Sequence, residues 1–138
     1  MLAAAIARYL AAQGLVTFDE TGLSGDTFIA VMPSAPDSCV AIFPTGGFGA
    51  DGKLGYDSPT IQIRVRGTQD PRPAYQRAEA IYGALHGLHD VTLPGGPYVV
   101  GCWGIQSGPV HMGRDQNGRH EYTINFRLEI RALTAHRE

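Results

Sequence analysis

From Glu121 to Arg131 the chain alternates polar and apolar for eleven residues without a break. Tyr122, Ile124, Phe126, Leu128 and Ile130 fall on one face, and Glu121, Thr123, Asn125, Arg127, Glu129 and Arg131 fall on the other, the period-two pattern of a half-buried strand. Ile61 to Arg66 does the same, with Ile61, Ile63 and Val65 inward and Gln62, Arg64 and Arg66 outward. These segments predict a sheet with one apolar face and one wet, arginine-bearing face. Helices covering only the apolar side would leave the other face and the edges free for partners.

Two stretches carry helical spacing instead. At the start, Leu2, Ile6, Tyr9 and Leu10 share one side among alanines, and Gly14 is placed to end the helix. Later, Asp70-Pro71 supplies an N-cap with proline at the first helical position, and Tyr75, Ala78, Tyr82, Leu85 and Leu88 repeat at steps of three and four over Arg72 to Leu88. Thr27 to Met32 and Ser38 to Phe43, joined by a Pro-Ser-Ala-Pro-Asp turn, predict a hairpin. Tyr98 to Ile105 reads as a strand with poor alternation. Pro44 to Ser58 holds five glycines and no periodicity and reads as a long loop, and Gly108 to His120 reads as a second, polar one. The resulting fold class is α+β over residues 1–138 as one domain, in the order α-β-β-β-α-β-β. Its largely antiparallel sheet carries two helices packed on one face.

A chain of 138 residues is long enough to bury a core without disulfides. Cys39 and Cys102, both in apolar stretches, read as core residues rather than a bridge or nucleophile. The formal net charge of −2 gives no global field toward nucleic acid or an anionic membrane. The opening MLAAAIARYLAAQG is too short to span a bilayer, lacks a basic leader and carries Arg8 within its apolar run, so no membrane partner is expected.

Candidate chemistry is thin. Gly47 to Lys53 has the glycine and lysine spacing of a phosphate-binding loop, but Leu54 stands where magnesium needs a hydroxyl, and a strand rather than a helix follows. His86 and His89 lie one turn apart at a helix end, and His111 and His120 bracket a loop, with no third ligand beside either pair. No nucleophile elbow is present. Arg64, Arg66, Arg127 and Arg131 could form a basic stripe for nucleic acid, but Glu121 and Glu129 interrupt it and no exposed aromatics are expected among them. No enzyme activity, metal or cofactor is expected.

The succession IQIRVRG, AYQRAEAIYGALHGL and GRDQNGRHEYTINFRLEIR, covering about Pro59 to Ala132, resembles the tail terminator proteins of long-tailed bacteriophages, often labelled minor capsid proteins. The resemblance implies a virion subunit, assembled in the host cytoplasm, that forms a homo-oligomeric and usually hexameric ring at the head–tail junction. Such a ring ends polymerisation of the tail tube protein and meets the head–tail connector, with genome DNA passing through it without sequence-specific binding. A head-completion or neck protein of the same junction is the alternative, and a nucleic-acid-binding module a more distant one. On this reading the two irregular segments carry the contacts: Phe48, Lys53, Leu54 and Tyr56 in the first, and Arg114, Asp115, Asn117 and Arg119 around Gly118 in the second.

The defects of the glycine-rich loop generate a test. Millimolar ATP with magnesium is expected to leave the melting temperature unchanged. An upward shift that vanishes in Lys53→Ala would show instead that the loop binds nucleotide, because a ligand held by the native state must stabilise it.

Overall fold

A computed structural model describes residues 1–137. The elements are α1 (Leu2–Ala12), β1 (Thr27–Ile29), β2 (Cys39–Phe48), β3 (Tyr56–Arg66), α2 (Pro71–Leu85), β4 (His89–Thr92), β5 (Tyr98–Gly104), β6 (Val110–Arg114) and β7 (His120–Arg131). One seven-stranded sheet runs β1-β2-β3-β7-β5-β4, with β6 pairing alongside the first half of β7. Every pairing but one is antiparallel. The expected α+β class and one-sided helix packing are thus observed, with β4 and β6 added. Among the described residues no helix is long and apolar enough to cross a membrane.

The alternating segments behave as their period dictates. In the β3–β7 register Ile61 faces Phe126, Ile63 faces Ile124 and Val65 faces Tyr122, and all six are buried. Val40 and Ile42 of β2 extend these rows, and the buried side chains of both helices close over them. In α1 these are Ala3, Ala5, Ile6, Ala7 and Leu10, where alanine lets the helix approach the sheet closely.

In α2 the Asp70 carboxylate accepts from the Arg72 N–H at 3.0 Å, and Pro71 occupies the first turn as expected. The buried stripe is Ala74, Ala78, Ile81 and Leu85, one step round from the expected one, so Tyr75 is exposed. The helix also stops three residues short of Leu88. Its end is set by β5: the Gly87 N–H donates to the Cys102 carbonyl at 2.8 Å, and His86 Nδ1 accepts from the Gly104 N–H at 2.9 Å. Sheet hydrogen bonds outcompete another half-turn of helix there.

Four further expectations are corrected. β1 and β2 are parallel neighbours rather than a hairpin, Thr27 lying beside Val40 and Ile29 beside Ile42. The connection from Ala30 to Ser38 returns over the helix-free face, where Met32 Sδ sits 3.2 Å from Cys39 Sγ. Arg66 holds it down, donating from Nε to the Asp37 carbonyl and from Nη2 to the Pro36 carbonyl at 3.0 and 2.7 Å. Arg66 is therefore only 3% exposed and leaves the expected arginine stripe. The glycine-rich segment is mostly strand, with only 49–55 outside the ladder. A bulge between Pro44 and Gly47 carries β2 on to pair Phe48 with Ser58. Gly47 is obligatory: its φ is +117°, and a Cβ there would lie 2.3 Å from the Ser58 carbonyl oxygen. The polar segment before β7 likewise contains β6.

Burial ranks the aromatic side chains. Phe126→Ala is expected to cost about 3–5 kcal/mol in urea unfolding, because the cavity opens in the buried core beneath α2, where Phe126 stacks on Tyr82. Phe48→Ala, at a side chain 62% exposed, is expected to change stability by less than about 0.5 kcal/mol.

Candidate interaction surface

The helix-free face is where the sequence and the structure differ most. Register places Arg127 opposite Thr60 on one side and Trp103 on the other. An irregularity between Val99 and Gly101 resets the alternation of β5, so Trp103 shares the open face with Arg127. The β2 extension brings Phe48 to the same place. The Arg127 guanidinium carbon lies 5.5 Å from the Trp103 ring centre and 5.8 Å from that of Phe48. With Gly104 and Ile105 they line an open hollow of about 480 Å³. A row away, Arg64 lies over the half-buried Phe43 ring at 5.0 Å. Aromatic rings therefore do interleave with the arginines. Trp103 and Ile105 escape the sequence reading, which has Arg127 only in a basic stripe, because only pairing register puts all three beside Phe48.

The remaining first-segment residues stand at the tip of the β2–β3 hairpin. Lys53 and Leu54 are exposed in the 49–55 turn, where the Lys53 N–H donates to Asp51 at 2.7 Å. Tyr56 opens β3 opposite Arg131. Arg137 buttresses this tip from behind, donating to the Asp57 carboxylate at 2.7 Å and to the Asp51 carbonyl at 3.3 Å.

The second segment divides by role. Arg114 and Asn117 are exposed at the β6–β7 turn. Asp115 folds that turn, accepting from the Asn117 and Arg119 N–H groups at 2.9 Å each. Those backbone donors, with the Arg119 guanidinium, hold its carboxyl below the usual range. Arg119 is no tip residue. It is 7% exposed and joins Asp115 at 2.8 Å to the Ser34 carbonyl at 2.6 Å and the Asp37 carboxylate at 3.1 Å. It clamps the same returning loop that Arg66 holds.

The histidines separate as well. His86 caps β5 and His89 turns to the Gly87 carbonyl, so they do not converge. His111 Nε2 and His120 Nδ1 do meet, at 3.0 Å. Among the described residues no three His, Cys, Asp or Glu side chains are grouped to hold a metal ion. Both cysteines are buried and free, and burial pushes the Cys102 thiol up to about 12 and raises Cys39.

The family described as bacteriophage tail terminator protein matches this chain over residues 9–131. The chain belongs to that family. The matched span contains the open-face hollow, the β2–β3 tip and the β6–β7 turn, omitting most of α1 and the residues beyond β7. A solved structure titled "Virion of native gene transfer agent (GTA) particle" contains a chain with the same fold, at a TM-score of 0.70 and 20% identity over 95% of each chain. No curated protein matches this sequence. Tail terminators are structural virion proteins, and in this member the constructed surface is a sheet face with its hairpin tip.

The division of the β6–β7 turn is measurable. Arg119→Ala is expected to lower the melting temperature by roughly 5–10 °C, because it releases the returning loop and leaves Asp115 without its cation. Arg114→Ala, at an exposed side chain, is expected to leave it unchanged within about 1 °C.

Proposed function

We propose that this protein is the subunit of a ring, of six copies, that caps the tail tube of a phage or phage-like particle. The ring ends tube polymerisation and offers the surface on which the head connector docks, while genome DNA passes through its centre. The observation that carries this reading is the match to the tail terminator family over 123 of the chain's residues, counting 9 through 131. The fold shared with a chain of a gene transfer agent virion supports a place in the particle rather than in the free cytoplasm.

Physical features of the surface fit the role. A lone domain gains little from exposing Phe48, Leu54, Trp103, Ile105 and Met112 together, whereas a subunit packed between neighbours buries them. The β2–β3 tip is short and braced by Arg137, so it can reach an adjoining ring without a large ordering cost. Lys53, Leu54 and Tyr56 at this tip, with Arg114 and Asn117 at the β6–β7 turn, are the contacts to neighbouring rings. Asp115 and Arg119 act behind them by fixing the turn.

Native mass spectrometry of the protein, free and after mixing with tail tubes, tests the ring. A closed oligomer in either condition is expected, and a strict monomer in both would overturn the reading. Replacing residues 49–55 by a two-residue turn is expected to preserve folding. The resulting lysates should contain heads and tails unjoined, or tails of irregular length. Normal infectious particles from that variant would remove the tip from the interface.

A further inference from the structure

His111 and His120 aim ring nitrogens at each other across two strands. His86 and His89 direct Nδ1 to the Gly104 N–H and to the Gly87 carbonyl, whereas His111 Nε2 faces His120 Nδ1 at 3.0 Å. Pairing explains the meeting. His111 of β6 stands opposite Tyr122 of β7, and His120, two residues earlier on β7, emerges on the same face, so the two imidazoles are diagonal neighbours. The Tyr122 ring lies 5.1 Å from that of His111, and its hydroxyl donates to the Pro71 carbonyl at 3.3 Å, which puts the pair beside the start of α2. His111 is exposed and His120 half-buried, so solvent reaches the pair.

We infer that this pair chelates one divalent transition-metal ion of the class that prefers imidazole, such as Ni2+, Cu2+ or Zn2+, with water in the remaining positions. Two metal–nitrogen bonds of about 2.0 Å hold their nitrogens about 2.8 Å apart at a right angle and about 3.3 Å apart at the tetrahedral angle. The separation of 3.0 Å falls between these. Without metal, two neutral imidazoles at this distance share one ring proton. On binding, the ring that carries it there takes the other tautomer, so both facing nitrogens present lone pairs and no net proton is released. The Asp70 carboxylate nearby is committed to the Arg72 N–H and guanidinium at 3.0 and 2.9 Å, so it supplies no third ligand, and its charge and that of Arg72 offset each other beside the ion.

The site has a structural consequence. β6 pairs with β7 alone, through a ladder that is irregular between His111 and Gly113, so an ion shared by the two strands pins the hairpin whose turn carries Arg114 and Asn117. It stands independently of the ring reading.

Isothermal titration of the untagged chain with Ni2+, and separately with Zn2+, is expected to show one ion bound per chain with micromolar affinity. Mg2+, which takes oxygen ligands, should give no binding. His111→Ala and His120→Ala are each expected to weaken Ni2+ binding at least tenfold, while His89→Ala, at an exposed histidine outside the pair, leaves it unchanged. The natural chain should also melt higher with Ni2+, reversibly on adding EDTA, and His111→Ala, an exposed position that the core does not need, should lose that rise while keeping its melting temperature in EDTA. No binding at millimolar Ni2+, or binding that survives His111→Ala undiminished, would overturn the assignment.

Discussion

The antiparallel pairing of β3 with β7 is the constraint on which the rest of the molecule depends. Because both strands alternate, their register sends Ile61, Ile63, Val65, Tyr122, Ile124 and Phe126 to one side as a single apolar surface. Burying that surface is the main favourable term available to a domain of this size, and it dictates where both helices lie. A slip of one residue would turn the whole set to water, so register here is strongly fixed. Everything on the opposite face inherits its position from that choice.

That inheritance explains how eight of the ten arginines serve three purposes. Arg66 and Arg119 are turned inward to hold carbonyls of the loop that returns from β1 to β2, which lets a short connection join parallel neighbours. Arg8, Arg72, Arg77 and Arg137 pair with carboxylates and tie surface segments to the frame. Arg64 and Arg127 lie on aromatic rings of the open face and keep their charge available there. An arginine whose donors are consumed within the fold is a structural part. Arg127 has its plane set by rings instead, while Arg64 also donates from Nε to Gln62 at 3.0 Å.

The open face is also built from residues on which folding does not depend. Its exposed apolar residues come from strand positions that the pleat forces outward, and the helices already satisfy the inward ones. Changing the outer set alters what the subunit can meet without emptying the core. A structural virion protein gains from that separation, since its outer face can change while the fold is held by β3, β7 and the helices.

By itself the sequence determined the elements whose periodicity is long and clean. The alternation of β3 and β7, the alanine-rich α1 and the proline-started α2 follow from local pattern, because side-chain direction within one element is fixed by backbone geometry alone. The family pattern was legible for the same reason, since it is carried by those segments. Tertiary structure decided what depends on two segments meeting. β1 became a parallel neighbour of β2 because arginines distant in sequence captured the connecting loop, and Arg119 moved from a surface tip to a clamp. Phe48 left its supposed loop because Gly46 and Gly47 form a bulge that prolongs the β2–β3 ladder. Trp103, Ile105 and Arg127 joined it only through register across β7, including an irregularity in β5 that no local period announces. Pairing is a property of two strands at once, so the hollow they build is written in no single stretch of the chain.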